Sequence, residues 1–115
     1  MTNNNIAGAR FGYIEGYYGR LFDWPARHEV LAMMASLGMN SYIYAPKDDT
    51  VHRFRWRQPY DADWRCGFAD FAAAAARQNI DVMAGIAPGL DFNFADLETR
   101  HAGDFTCLIK KAEQL

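Results

Sequence analysis

The sequence has no stretch approaching the roughly 20 consecutive apolar residues that cross a bilayer as a helix, so no membrane span or membrane partner is expected. It has no basic excess either: Lys and Arg total 12 against 14 Asp and Glu, for a net charge of -2. A dedicated nucleic-acid binder carries a strong positive surplus, so nucleic acid is not expected as a partner. Cysteine is scarce. Cys66 and Cys107 are too few and too far apart for the disulfide framework of a small secreted domain. Both fall in segments that read as helix, and they are expected to be buried thiols. No basic segment followed by an apolar core opens the chain, so a cytoplasmic address is expected. His28, His52 and His101 have no metal-ligand spacing with one another or with the cysteines. Nucleophilic Ser or Cys motifs, phosphate-cradling loops, internal repeats and low-complexity tracts are also missing.

What is present is globular: half the residues are hydrophobic and 15% are aromatic. A length of 115 residues suits one domain and is too short for two. After a polar lead over residues 1–10, Phe11 to Gly16 forms a short apolar run ending in glycine, which reads as a strand. Asp23 can cap the next helix and Pro25 is tolerated in its first turn. Val30, Leu31, Met33, Met34 and Leu37 mark its expected apolar face, and Gly38 is a natural stop. Asn40 to Ala45 reads as a second strand, followed by a long loop from Lys47 to Tyr60. Asp61 can cap a second helix, with Trp64, Phe68, Phe71, Ala72 and Ala75 on one face and a weakening glycine at Gly67. Asp81 to Ala87 reads as a third strand, ended by Pro88-Gly89. Asp104 then caps a last helix with Phe105, Leu108, Ile109 and Ala112 at helical spacing.

Strands separated by helices run parallel through right-handed crossovers, so the fold class is α/β. Three such units suit either an open doubly wound sheet or the start of an eight-stranded barrel, which needs about 250 residues. Three strands alone would leave one sheet face without partners and two exposed edges. The isolated chain is therefore expected to fold poorly.

In both architectures functional groups gather at the C-terminal ends of the strands. Those ends carry Glu15-Gly16-Tyr17-Tyr18-Gly19-Arg20, Pro46-Lys47-Asp48-Asp49 and Pro88-Gly89-Leu90-Asp91. The spacing of Gly12, Gly16 and Gly19 is not the dinucleotide fingerprint. Turn geometry explains such glycines, although at Gly16 close approach of a ligand to the backbone is a second reading. Glu15 and Lys47 read either as an ion pair across neighbouring strands or, for Lys47, as a group reaching a polar ligand. Asp48-Asp49 invites comparison with the paired carboxylates of glycosidases. Adjacent residues in extended chain point to opposite sides, however, so these two are assigned to loop structure or capping. His52 to Arg57 alternates basic and aromatic residues and reads as a solvated loop edge with Trp56 packed inward.

Three motifs resemble the catalytic domain of glycoside hydrolase family 84, the O-GlcNAcases and bacterial β-N-acetylglucosaminidases. They are Glu15-Gly16-Tyr17-Tyr18-Gly19-Arg20, Tyr42-Ile43-Tyr44-Ala45-Pro46-Lys47-Asp48-Asp49 and Ala87-Pro88-Gly89-Leu90-Asp91, in the family's order, with His52-Arg53 and Trp56-Arg57 where the family carries them. The resemblance implies that residues 11–115 are the N-terminal portion of a (β/α)8 glycoside hydrolase barrel. It implies retaining, substrate-assisted removal of terminal β-linked N-acetylglucosamine from a glycoprotein or glycan, with no metal or organic cofactor. Gly16 and Lys47 match the family's sugar-contacting glycine and lysine. Glu15, Tyr17, Tyr18, Asp48, Asp49 and Asp91 would support the rim.

Tyr17 stands where the family usually has phenylalanine, and Ala87 where it has serine. The family's catalytic Asp-Asp pair is expected beyond Leu115, so residues 1–115 are expected to be inactive alone. Two other readings remain open at this stage. One is a non-catalytic sugar-binding or regulatory remnant. The other is a small self-associating α/β protein.

Overall fold

A computed structural model describes residues 8–87 and 102–115. Its elements follow the expected alternation: β1 (Gly12–Glu15), α1 (Trp24–Ser36), β2 (Ser41–Tyr44), α2 (Ala62–Arg77), β3 (Asp81–Ala84) and α3 (Ala102–Glu113). The strands form one parallel sheet in the order β1-β2-β3, with Gly12 opposite Ser41 and Ser41 opposite Asp81. Beyond the last paired residues the ladder continues through Ala45 N–H to Glu15 O and Gly85 N–H to Tyr44 O, at 3.0 and 2.7 Å. This continuation holds the three strand ends in register where the motifs begin.

Local chemistry starts the first two helices as expected. The Asp23 carboxylate accepts from Ala26 N and the Asp61 carboxylate from Trp64 N, each at 2.8 Å. Each bond satisfies an amide that has no partner within its own helix.

Among the described residues, one face of the sheet is covered and the other is not. Alternation along the strands turns Glu15, Tyr42 and Tyr44 toward α1 and α2. There Leu31, Met34, Phe68, Phe71, Ala74, Ala75 and Ile80 complete a buried core. Trp24 meets Trp64, Phe68 and Phe71 at tilted or edge-on angles. Gly67 is where α2 receives the Trp24 indole, since a Cβ there would lie 2.3 Å from Trp24 Nε1. The glycine that weakens α2 as an isolated helix is thus what lets the two helices meet. On the opposite face Ile14 and Met83 are exposed, and no described element covers them.

Several expectations are corrected. Met33 and Leu37 are exposed rather than on the inner face of α1. The inner positions are Arg27, Leu31 and Met34, spaced four and three apart, so a charged residue occupies the first place of the apolar stripe. Asp104 lies within the first turn of α3 instead of capping it, and bonds Arg57 Nε at 2.6 Å. Ile109 and Ala112 are exposed, while the buried residue of α3 is Lys111. Polar contacts to the loop after β2, from Asp104 and Lys111, therefore help to orient this helix. Phe105's side chain lies outside the described residues. Cys66 and Cys107 are both exposed free thiols, because each falls on the solvent side of its helix.

Candidate functional site

Those polar residues singled out in the sequence that are described, Glu15, Tyr17, Tyr18, Lys47, Asp48 and Asp49, gather at the C-terminal end of the sheet, but they play different parts. Glu15 is fully buried on the helix side. Its carboxylate accepts from Arg27 Nε and Nη2, both at 3.0 Å, from the Tyr17 hydroxyl at 3.1 Å, and from the Tyr42 hydroxyl. The Arg27 guanidinium lies 4.6 Å from the Trp24 ring centre and 5.0 Å from that of Tyr44. The ion pair considered between Glu15 and Lys47 is therefore not formed, because strand alternation points Glu15 away from the loop side. Arg27 was missed in the sequence. The available signal was an arginine at the same helical spacing as Leu31 and Met34.

Tyr17 closes the loop after β1. Its hydroxyl accepts from Phe22 N at 2.8 Å while donating to Glu15, and its ring packs on Phe22. The hydroxyl that distinguishes it from the phenylalanine usual in the resembling family is thus used in an internal link. Burial, reinforced by the Glu15 carboxylate and partly opposed by the Phe22 amide and Arg27, raises the Tyr17 pKa and keeps the phenol neutral. Tyr18, by contrast, is exposed, with the Arg53 guanidinium 5.8 Å from its ring centre.

The glycines separate by cause. Gly19 has a φ of +105°, a conformation that favours glycine, and a Cβ at Gly12 would strike Ser41 O. Gly16 has neither constraint. A Cβ there would meet only Ile14 Cγ2, at 3.3 Å. A side chain there would require only a small shift of the exposed Ile14 methyl.

The loop after β2 is tied to the loop after β1. Lys47 N donates to Tyr17 O at 3.0 Å, and Gly19 N donates to the Asp48 carboxylate at 2.9 Å. Asp49 points the other way, into the protein. Its Oδ2 accepts from the hydroxyls of Tyr44 and Tyr60 at 2.5 and 2.7 Å, and its Oδ1 from the amides of Val51 and His52 at 2.9 and 3.2 Å. Burial and the neighbouring carboxylate hold both phenols well above the usual tyrosine range. The two aspartates thus diverge, each held by loop contacts of its own as the loop-structure reading expected, although they lie in a turn rather than in extended chain.

Trp56 is packed inward, as expected. His52, assigned to a solvated edge, is instead buried, with Nδ1 2.9 Å from Gly85 O. Among the described residues the Lys47 ammonium has no hydrogen-bond or ion-pair partner. Asp91 and the motif from Pro88 onward lie outside the described residues. No group of three or more metal-ligating side chains occurs among the described residues. No described helix is long and apolar enough to cross a membrane.

The fold and this rim define a parallel α/β protein that gathers its polar groups at the carboxyl ends of its strands. Comparison with known proteins makes the class specific. A family profile described as beta-N-acetylglucosaminidase matches residues 11–115. The protein O-GlcNAcases of Rattus norvegicus and Mus musculus are each 35% identical to the chain over 85 residues, covering 74% of it and 9% of their own length. A solved structure of an O-GlcNAc hydrolase mutant (D120N) from Thermobaculum terrenum superposes with a TM-score of 0.83 at 30% identity, covering 91% of this chain and 22% of that one. The chain belongs to the β-N-acetylglucosaminidase family, glycoside hydrolase family 84, and corresponds to an N-terminal part of it. It spans only a small fraction of the length of these relatives.

Proposed function

We propose that residues 11–115 form the first three βα units of a (β/α)8 barrel and contribute the sugar-holding side of a β-N-acetylglucosaminidase site. In this reading the Gly16 backbone and the Lys47 ammonium contact a terminal β-linked N-acetylglucosamine on a glycoprotein or glycan. The observation that carries it is the state of Lys47. Its backbone is fixed between two strand ends, while its charged tip has no partner among the described residues. A cation so held is prepared to donate to sugar oxygens. The slight packing demand at Gly16 supports backbone approach of the same ligand.

The family resemblance implies substrate-assisted hydrolysis with retention, in which one aspartate orients the acetamido group and a second acts as general acid and then base, roles that need unequal proton affinities. Asp48 and Asp49 do not suit those roles. Asp49 is buried with its carboxylate oxygens engaged in four hydrogen bonds, and Asp48 caps Gly19. In this reading the acid pair lies outside residues 1–115, and these residues alone bind the sugar weakly without cleaving it.

N-Acetylglucosamine titrated into the 115-residue chain is expected to shift Lys47, Tyr17 and Tyr18 NMR resonances at millimolar concentrations, and Lys47→Ala to remove the response. A chromogenic β-N-acetylglucosaminide should not be hydrolysed. Hydrolysis by this chain, abolished by Lys47→Ala, would overturn the assignment of the acid pair elsewhere.

A further inference from the structure

The loop from Lys47 to Tyr60 is long for a connection between packed elements. Its order rests on a buried polar frame that the family reading does not use. Asp49 gathers two tyrosine hydroxyls and two loop amides. Lys111 enters from α3, and its Nζ donates to Val51 O at 2.5 Å and to Trp56 O at 3.0 Å. That ammonium is 4.8 Å from the Tyr60 ring centre, and the residue is only 4% exposed. Burying a lysine is unfavourable unless its protons are accepted and its charge is balanced. Two carbonyls, an aromatic face and the charge of Asp49 meet that need here.

We propose that Asp49 and Lys111 are positioning residues that fix the loop after β2 so that Lys47 is presented beside Gly16. The inference rests on the reading of Lys47 as a sugar contact. The loop is held at three levels: at its start by Tyr17 O and Gly19 N, in its interior by Asp49, and from outside by Lys111. Neither Asp49 nor Lys111 touches the sugar. They remove the conformational freedom that Lys47 would otherwise lose on binding, which is how a preorganised site gains affinity.

The test compares the 115-residue chain with its Asp49→Asn and Lys111→Met variants, the latter keeping the apolar stem against Tyr60. A wild type without protected amides in α2 and in residues 47–52 would have no fixed loop and would overturn the inference at the outset. Two readouts are taken: amide exchange over residues 47–52 relative to α2, and the shift of Lys47 resonances on adding N-acetylglucosamine. Expected in each variant are loop amides exchanging about tenfold faster with α2 unchanged, and a Lys47 response to sugar weakened roughly threefold or more. Variants that bind the sugar through Lys47 as the wild type does would overturn positioning and leave the sugar contact standing. Loss of α2 protection together with that of the loop in both variants would also overturn it, making the two residues general stabilisers. A wild-type chain whose Lys47 ignores the sugar would remove the contact itself, and this inference with it.

Discussion

Arg27 donates to Glu15 from two guanidinium nitrogens at 3.0 Å, with both side chains removed from water between α1 and the end of β1. Two tyrosine hydroxyls complete the carboxylate's shell. Removing one member strands a buried charge. Arg27→Met is expected to cost about 3–5 kcal/mol, a large part of a small domain's stability. The double variant Glu15→Leu with Arg27→Met should recover only part of that, since it leaves no buried charge but takes the acceptor from the Tyr17 and Tyr42 hydroxyls. Urea midpoints of the three proteins decide it, and a single-variant loss below about 1 kcal/mol would show the pair to be solvated.

Gly67→Ala sets helix propensity against packing. Alanine favours an isolated helix by about 1 kcal/mol over glycine. The added methyl would lie 2.3 Å from an indole already packed on three other rings, and overpacking costs about 1–3 kcal/mol. Net destabilisation is expected. A raised thermal midpoint would mean that Trp24 turns aside freely.

His52 makes stability depend on pH. Burial, partly opposed by its bond to Gly85 O, lowers its pKa, so the folded chain holds it neutral. An unfolded histidine takes up a proton near pH 6.5. Since the unfolded state binds more protons below that point, the contribution is fully present above about pH 6.5 and is lost as pH falls toward the folded-state value. Urea midpoints should therefore drop between about pH 7.5 and 5.5 more steeply for the wild type than for His52→Gln. Equal slopes would mean that His52 titrates normally.

Cys66 and Cys107 should both react with a thiol-specific reagent in native buffer, without the lag that follows buried groups. A requirement for denaturant at either position would contradict its exposure.

The alternation of strand and helix was legible because it is written locally. Apolar runs of strand length, caps three residues before the amides they serve, and the loop bounds at Lys47 and Tyr60 all depend on near neighbours in the chain. The rim was legible too, since parallel strands deliver their carboxyl ends to one side whatever the side chains are. The failures came where a residue's fate depended on a distant partner. Leu37 and Met33 fit the helical period but fall outside the arc that faces the sheet, while Arg27 takes a place within it. Lys111 looks like a solvent-facing lysine until Val51 and Trp56 bring their carbonyls to it.

By itself, then, the sequence determined the α/β order, the helix starts at Asp23 and Asp61, and the family to which the chain belongs. Tertiary structure alone decided the rest. It gave Glu15 to Arg27 rather than Lys47, turned Gly67 from a weak point into a helix contact, and closed Asp49 and Lys111 around the loop. The physical reason is range. Periodicity and capping act over a turn or a strand, whereas burial and pairing of a charge depend on which surfaces meet when the elements pack.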